Sequence, residues 1–329
     1  MVPDPALVER FRSDLGGLVA RSERIGIAVS GGPDSLALLL LAAAGRPGEV
    51  EAASIDHGLR AESRAECERV GEVCSRLCVP HAIFTVDWAK KPVTAIQERA
   101  RAARYRLLGE WISDRSLDAL ATAHHADDQA ETLVMRLNRG SGVRGLAGMR
   151  PVSRVPGSES PLVRPLLGWR RAELEAICAS AGLTPADDPS NADDQFERIR
   201  VRQALSENGW LDVTAVGRAA VNLASADEAL EWAAQGEWDQ SVQKDARQIV
   251  YTPSGDVPLE IHRRIVARAL GELATEGATE ILRGRELDRL TDDLRLGGTA
   301  TLRGVKCSGG LEWRFVPAPK RTRPVDNTR

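Results

Sequence analysis

This chain is poor in aromatic residues, has no dominant charge and contains no long apolar run. Aromatics make up 4% of its 329 residues, too few for a surface that works by stacking successive bases. The formal net charge is −3, so no global basic field draws nucleic acid, and any such binding must come from local patches. The longest apolar run, Leu36 to Ala44, falls far short of the roughly 20 residues a membrane-spanning helix needs. Met1 to Arg12 carries no apolar signal core, so no membrane association is expected. The cysteines are five, namely Cys67, Cys74, Cys78, Cys178 and Cys307, with no Cys-x-x-Cys pair. Their odd count and scatter argue against a disulfide framework and suit a reducing cytoplasm. Cys67, Cys74 and Cys78 recur at helical spacing and read as small buried residues on one face. Around the one Gly-rich turn that follows a strand, the pattern Gly-x-x-x-x-Gly-Lys-Ser/Thr is missing, which disfavours an NTPase that transfers the γ-phosphate.

What is present is globular: 43% hydrophobic and 28% charged residues, with a length that suits two domains. The most informative segment is Ser30-Gly31-Gly32-Pro33-Asp34-Ser35. It lies between the apolar runs Ile25–Val29 and Leu36–Leu41, so it reads as strand, sharp turn and helix. Two glycines let the backbone turn tightly and free its amides to converge on an anion. Pro33 suits the first helical turn, and the helix N-terminus adds positive partial charge. Ser30 and Ser35 offer hydroxyls to phosphate oxygens, and Asp34 offers a hard oxygen to Mg²⁺.

Strand-like and helix-like stretches alternate through the first two-thirds. Strands are expected at residues 24–29, 50–56, 81–87, 120–124 and 162–165, with helices at 34–44, 63–78, 94–112, 126–137 and 170–181. That alternation predicts an α/β fold, a Rossmann-like parallel sheet with helices on both faces. Ligands in such sheets bind beyond the C-terminal strand ends, where Ser30–Ser35, Asp56–Arg60 and His124–Glu131 fall. Residues 151–161, rich in Pro, Ser and Gly, read as a surface loop. Beyond Arg202 the pattern changes: residues 211–243 are Ala-rich and helical, with Trp232 and Trp238 placed to pack on neighbours. A turn at 252–256, helices at 259–274 and 283–295, and short strands within 298–316 follow. The expected division is a catalytic domain over 1–207, a smaller helical or α+β domain over 208–318, and a disordered basic tail over 319–329.

His124-His125-Ala126-Asp127-Asp128-Gln129-Ala130-Glu131-Thr132 ends a strand and opens a helix. Acids there suit the helix dipole. The pairs Asp127/Glu131 and Asp128/Glu131 are spaced to share a helix face. Such acids can bind a cationic substrate, hold Mg²⁺ or act as a general base. A transition-metal site from His124, His125 and Asp128 is the weaker alternative, since adjacent histidines on a strand point apart. The helix continues into Arg136-Leu137-Asn138-Arg139-Gly140-Ser141-Gly142-Val143-Arg144-Gly145. Its Gly-x-Gly-x-x-Gly spacing follows a helix, not a strand, so it is no dinucleotide fingerprint. A Gly-rich loop carrying Arg136, Arg139, Arg144 and Arg150 reads either as a clamp for a polyanion or as solvated charge.

Ser30–Ser35 resembles the pyrophosphate loop of the PP-loop ATP pyrophosphatases. His124–Thr132 with Arg136–Met149 more specifically resembles the tRNA(Ile)-lysidine synthetase family. Asp56-His57-Gly58-Leu59-Arg60, Gln97-Glu98-x-x-Arg101-x-x-Arg104-Tyr105, Arg164-Pro165-Leu166-Leu167 and Asp188-Pro189-Ser190-Asn191 with Arg198, Arg200 and Arg202 match further family motifs. The likeness spans residues 24–202, with one departure: Ile199 stands where the family usually has Asn. The resemblance implies ATP- and Mg²⁺-dependent ligation of L-lysine to C2 of the cytidine at the first anticodon position of an isoleucine tRNA with anticodon CAU. It implies ATP contacts from Ala28, Ser30, Gly31, Gly32, Pro33, Asp34, Ser35, Ile55, His57, Arg60, Arg101 and Arg104, with Asp34 also the metal ligand. It implies lysine contacts from His124, Asp128 and Glu131, catalysis by Asp34, Asp128 and Glu131, and tRNA contacts from Arg139, Arg144, Arg198, Arg200 and Arg202. No stable protein partner is expected, and homodimerisation stays open. Competing expectations are a tRNA thiolase, disfavoured because no cysteine lies in these motifs; an amide-forming ligase on a small metabolite; and a non-catalytic tRNA-binding module.

Overall fold

A computed structural model gives the fold and describes residues 1–59, 62–88, 94–184, 197–207, 211–245, 247–274 and 284–319. The chain divides into two compact units, Met1–Gly140 with Leu146–Val221, and Ser141–Gly145 with Asn222–Arg329.

The first unit runs α1 (Pro5–Gly16), β1 (Ile25–Ala28), α2 (Pro33–Gly45), β2 (Val50–Asp56), α3 (Ser63–Arg76), β3 (His81–Thr85), α4 (Ile96–Asp114), β4 (Ala119–Ala121) and α5 (Ala126–Asn138). After α6 (Val143–Leu146) come β5 (Val152–Arg154), β6 (Pro161–Val163), α7 (Arg171–Ser180), α8 (Glu197–Glu207) and the long α9 (Val213–Ser241), within which the division between the units falls. The sheet order is β3-β2-β1-β4-β6-β5. Every pairing is parallel except β5 with β6, which is antiparallel. The strand order changes direction between β1 and β4, the switch point where such sheets bind ligands.

Side-chain alternation explains both faces. Ile25, Ile27, Val50, Ala52, Ala119, Ala121 and Val163 join one core with α1, α2 and α7. Ala28, Ala53, Leu120 and Leu162 face the other way, onto Tyr105, Leu108, Trp111 and Ile112 of α4. Leu38, Leu39, Leu40 and Leu41 of α2 are all fully buried, because α1 and α7 cover the side of α2 that the sheet does not; a helix apolar all round must be enclosed. Gly26 lets α4 approach the sheet: a Cβ there would lie 2.5 Å from Ile112 Cδ1 and 2.7 Å from Trp111 Cζ3.

Several sequence expectations need correction. Residues 151–161 are not simply loop, since they contain β5, whose Val152–Arg154 pairs with β6. The strand expected to reach His124 stops at Ala121, because His125 turns to cap α5. Cys67 and Cys74 are buried, but Cys78 is exposed; it follows the end of α3 in a left-handed turn, φ 56°. The Gly-rich loop includes the short helix α6. Residues 320–329 of the expected tail lie outside the described residues.

In the second unit β7 (Val242–Lys244), β8 (Ile249–Tyr251), α10 (Leu259–Leu273), α11 (Gly284–Arg295), β9 (Thr299–Leu302), β10 (Val305–Ser308) and β11 (Trp313–Pro317) follow α9. An antiparallel sheet of order β7-β8-β11-β10-β9 shares a core with α10 and α11 through Ile265, Val266, Leu290, Leu294, Tyr251 and Phe315. Trp238 packs there beneath Arg268, 4.1 Å from the guanidinium carbon, whereas Trp232 is 81% exposed and does not pack as expected. Among the described residues, no helix is long and apolar enough to cross a membrane.

Candidate active site

The turn after β1 is built by its own side chains. Ser30 N–H donates to Ser35 Oγ at 3.1 Å, and Ser35 Oγ–H donates to the Gly32 carbonyl at 3.0 Å. Gly31 takes φ 88°, a conformation that glycine adopts without strain. Gly32 is the N-cap of α2, with no side-chain cap, and Pro33 opens the helix. Amides at this helix start are therefore left to an anion. Beside the turn lies a cleft of about 340 Å³ lined by Ala28, Ser30, Gly32, Pro33, Asp34, Ile55, His57, Arg104, Arg171 and Arg202 among others. Nine of the residues expected to contact ATP or tRNA thus meet at one opening. Gly31, Ser35 and Arg101 are not part of its lining; Arg101 lies over the Tyr105 ring, 5.0 Å from its centroid. Arg60 lies outside the described residues.

Asp34 Oδ1 is buried and has no hydrogen-bond partner. Its other oxygen, Oδ2, is 3.5 Å from His125 Nε2. An orphaned carboxylate oxygen at the mouth of a phosphate turn suits a hard divalent cation that takes its remaining ligands from phosphates and water. No group of three or more His, Cys, Asp or Glu is arranged to hold a metal among the described residues.

His125, which the motif reading did not assign to the site, lies at its centre. It is the N-cap of α5: its backbone N–H donates to Asp128 Oδ2 at 3.1 Å, and the Asp128 amide faces its Nδ1 at 3.4 Å. The ring is 2% exposed, with Asp34 Oδ2 and Asp128 Oδ2 each 3.5 Å from Nε2 and Asp127 Oδ2 3.6 Å from Nδ1. Burial opposes a charge on this imidazole, but contact with Asp127 and Asp34 and the charge of Asp128 outweigh it and raise its pKa to about 10. Nδ1 cannot both accept from the Asp128 amide and carry a proton; the three surrounding acids favour the imidazolium, and 3.4 Å is a long contact for an accepted hydrogen bond. Asp127 is fixed in turn by Arg170, with Nη2 donating at 3.0 Å, and by the Arg171 amide at 2.8 Å. Arg170 and Arg171 open α7, where basic residues run against the helix dipole, and that mismatch is the sequence signal that could have marked them.

His124 is the opposite case. Burial first, then Arg164, Arg104 and Arg101, push its pKa down to about 3, so it stays neutral and shares a hydrogen bond with Thr122 Oγ1 at 3.0 Å.

Asp128 and Glu131 do come together on α5, but arginines already hold them. Arg198 Nη2 donates to Asp128 Oδ1 and Arg198 Nε to Glu131 Oε2, each at 2.6 Å; Arg202 Nε donates to Glu131 Oε1 at 2.6 Å. The Glu131 side chain is 2% exposed. Burial raises the Asp128 pKa, with the charges of His125 and Arg198 opposing. The two arginines expected at tRNA thus sit on the acids expected at lysine. Arg200, between them on α8, is exposed. Arg139 pairs with Glu197, and Arg144 lies on α6 in the second unit, 4.0 Å from Glu231. Ile199, the one departure from the family pattern, is buried.

The loop after α5 is anchored by Gln129, whose Nε2–H donates to the Met149 carbonyl at 2.8 Å while its Oε1 accepts the Met149 amide at 2.7 Å. Gly148, φ 65°, lies so close that a Cβ there would meet Gln129 Oε1 at 2.6 Å.

A cleft at the sheet's switch point, a Gly-rich anion turn and an acid oxygen left for a cation define a PP-loop ATP-using protein, and the family model described as a PP-loop domain matches residues 7–208. By fold it is similar to the U34-tRNA thiolase NcsA from Methanococcus maripaludis, with a TM-score of 0.57 and 16% identity, covering 67% of this chain and 79% of that one. By sequence it is 47% identical, over 94% of each chain, to the tRNA(Ile)-lysidine synthase of Novosphingobium aromaticivorans. It is 40% identical to that of Zymomonas mobilis subsp. mobilis, over 96% of this chain and 95% of that one. The chain belongs to the tRNA(Ile)-lysidine synthase family.

Proposed function

We propose that this enzyme joins L-lysine to C2 of the cytidine at the first anticodon position of an isoleucine tRNA with anticodon CAU, consuming ATP in the cytoplasm. The observation that carries the reading is the pair of acids, the half-buried Asp128 and the buried Glu131, set beside a pyrophosphate turn and linked to it through His125.

In the first step the cytidine C2 oxygen attacks the α-phosphorus of ATP. The bond to the β-phosphate oxygen breaks and pyrophosphate leaves. Ser30, Gly32 and the first turn of α2 are placed for the leaving group, and Arg104 reaches the same cleft. Asp34 would hold Mg²⁺, which would supply charge compensation for a departing pyrophosphate. Ala28 and Ile55 offer an apolar wall for adenine, beside His57.

In the second step the lysine ε-amine attacks C2, and AMP leaves with the former C2 oxygen. Free lysine has a pKa of about 10.4, so its amine must shed a proton before it can attack. Asp128, raised by burial, is a better base than an ordinary aspartate and is the group assigned to take it. Glu131, held between Arg198 and Arg202, binds a lysine ammonium. Lysine reaches these acids by replacing a guanidinium of Arg198 or Arg202, which then turns to RNA phosphates along with Arg139, Arg144 and Arg200. Lysine entry and RNA engagement are thereby linked.

Pyrophosphate release tests the first step by itself. Release from ATP should require an isoleucine tRNA with cytidine at the first anticodon position and should vanish when that base is uridine. Equal release with the uridine transcript would overturn the assignment of the acceptor.

A further inference from the structure

We propose that His125 is a positioning residue that fixes the phosphate-side acid, Asp34, and the lysine-side acid, Asp128, in one geometry. The inference rests on the reading of those two acids given above, and goes beyond it in making them one mechanical unit.

Asp34 comes from α2 and Asp128 from α5, elements that follow different strands on either side of the switch point. One ring nitrogen, Nε2, lies 3.5 Å from a carboxylate oxygen of each. At that length these contacts are longer than ordinary hydrogen bonds, and such contacts tighten when substrate completes a site. The ring cannot drift: it is 2% exposed, and the other nitrogen faces Asp127. Asp127 is held by Arg170 and the Arg171 amide at the start of α7. The Trp169 carbonyl just before α7 accepts the Ala126 amide at 2.8 Å. The chain of contacts α7–Asp127–His125 thus ends on two acids with different tasks. Asp34 Oδ1, the oxygen not used by His125, is the buried one without a partner. With Oδ2 held, Oδ1 is the oxygen left for a cation. Asp128 Oδ2 likewise faces His125, both its ring and its backbone amide, and leaves Oδ1 for a cation, now Arg198. In each acid His125 takes one oxygen and presents the other. Removing partners that orient ligating groups typically costs about 10- to 100-fold in affinity or activity.

The two ring nitrogens have separable jobs, and two amide substitutions divide them. In His125→Asn the side-chain amide falls near Nδ1, keeps the Asp127 side, can accept the Asp128 amide as an uncharged N-cap, and loses the reach to Asp34 and Asp128. In His125→Gln the amide falls near Nε2 and keeps that reach, while the contact with Asp127 on the Nδ1 side is lost. The expected result is an inversion. His125→Asn melts higher than His125→Gln, yet His125→Gln forms lysidine at least about tenfold faster. The loss in His125→Asn should appear both as a higher Mg²⁺ requirement for pyrophosphate release and as a higher KM for lysine. A purely structural residue would make activity follow melting temperature. His125→Gln no more active than His125→Asn, a loss confined to one of the two readouts, or failure of both variants to fold would each overturn the proposal. Asp34→Asn and Asp128→Asn run beside them keep the underlying reading separate: if these are fully active the acids themselves are misassigned, and if they are inactive while His125→Asn is not, only the role of His125 fails.

Discussion

Arg202→Met tests the linkage between the arginines of α8 and the acids of α5 most sharply. Glu131 is 2% exposed and accepts one 2.6 Å hydrogen bond on each oxygen, from Arg202 and Arg198. Charge-assisted hydrogen bonds of this kind contribute about 1.5–3 kcal/mol each. Breaking a fully buried ion pair costs about 3–5 kcal/mol. The Arg202 side chain is 32% exposed, so water screens part of the loss, and Arg198 still neutralises Glu131. The expected cost is therefore at the lower end, about 2 kcal/mol, or roughly 4–8 °C in the melting temperature of a unit this size. Glu131→Gln should rescue the variant, because an amide no longer demands a second cation. A double-mutant cycle should give a coupling of at least ~1 kcal/mol. L-Lysine supplies the decisive arm. A ligand at 100 times its Kd stabilises by about 2.7 kcal/mol, and lysine should stabilise Arg202→Met more than the wild type, since its acid is already half vacated. Thermal unfolding of the four proteins with and without lysine measures all of this. Zero coupling, or lysine protecting the wild type more than Arg202→Met, would refute the exchange of guanidinium for ammonium.

Three further outcomes follow from the same geometry. Asp128→Asn should lower lysine incorporation by at least ~100-fold, the scale of a lost general base, without lowering the melting temperature, because burial already disfavours the charge on Asp128; near-normal turnover would remove it from the mechanism. Gly26→Ala should destabilise the first unit by about 1–3 kcal/mol, since the new Cβ would meet Trp111 and Ile112 within 3 Å, and an unchanged unfolding midpoint in urea would contradict that packing. Hydrogen bonding from Arg115 outweighs burial and holds the Glu51 pKa below its ordinary value. The stability Glu51 contributes is therefore complete above about pH 4.3 and is lost as pH falls through the lower folded value, so Glu51→Gln should flatten that part of an acid titration of stability while costing about 1 kcal/mol at neutral pH.

Much of the fold was legible because local and global signals agree. The first parallel strands and their helices lie within a few residues of the expected bounds, since apolar runs give way there to short polar or Gly-containing turns. The antiparallel β5 was not legible: Val152–Arg154 is half exposed, too short for periodicity, and is specified by its hairpin partner β6. The amphipathic α1 was not among the expected helices; in the structure Asp4 caps it, its side chain accepting the Ala6 amide, and Pro5 opens it. In the site, the pyrophosphate turn and the acids of α5 could be read from spacing and resemblance. Their partners could not. Arg198 and Arg202 reach Asp128 and Glu131 across some 70 residues of sequence, and sequence alone assigned those arginines to RNA. His125 was legible only as a histidine beside acids. Its central place depends on α2 and α7 arriving from distant parts of the chain, a product of sheet topology rather than of local pattern.

The central claim is tested most directly by incubating the purified enzyme with radiolabelled L-lysine, ATP, Mg²⁺ and an isoleucine tRNA transcript bearing the CAU anticodon, beside a transcript with uridine at the first anticodon base. The account predicts label in the first RNA, with AMP and pyrophosphate released, and none in the second. Pyrophosphate release without lysine incorporation, or label entering both RNAs alike, would contradict it.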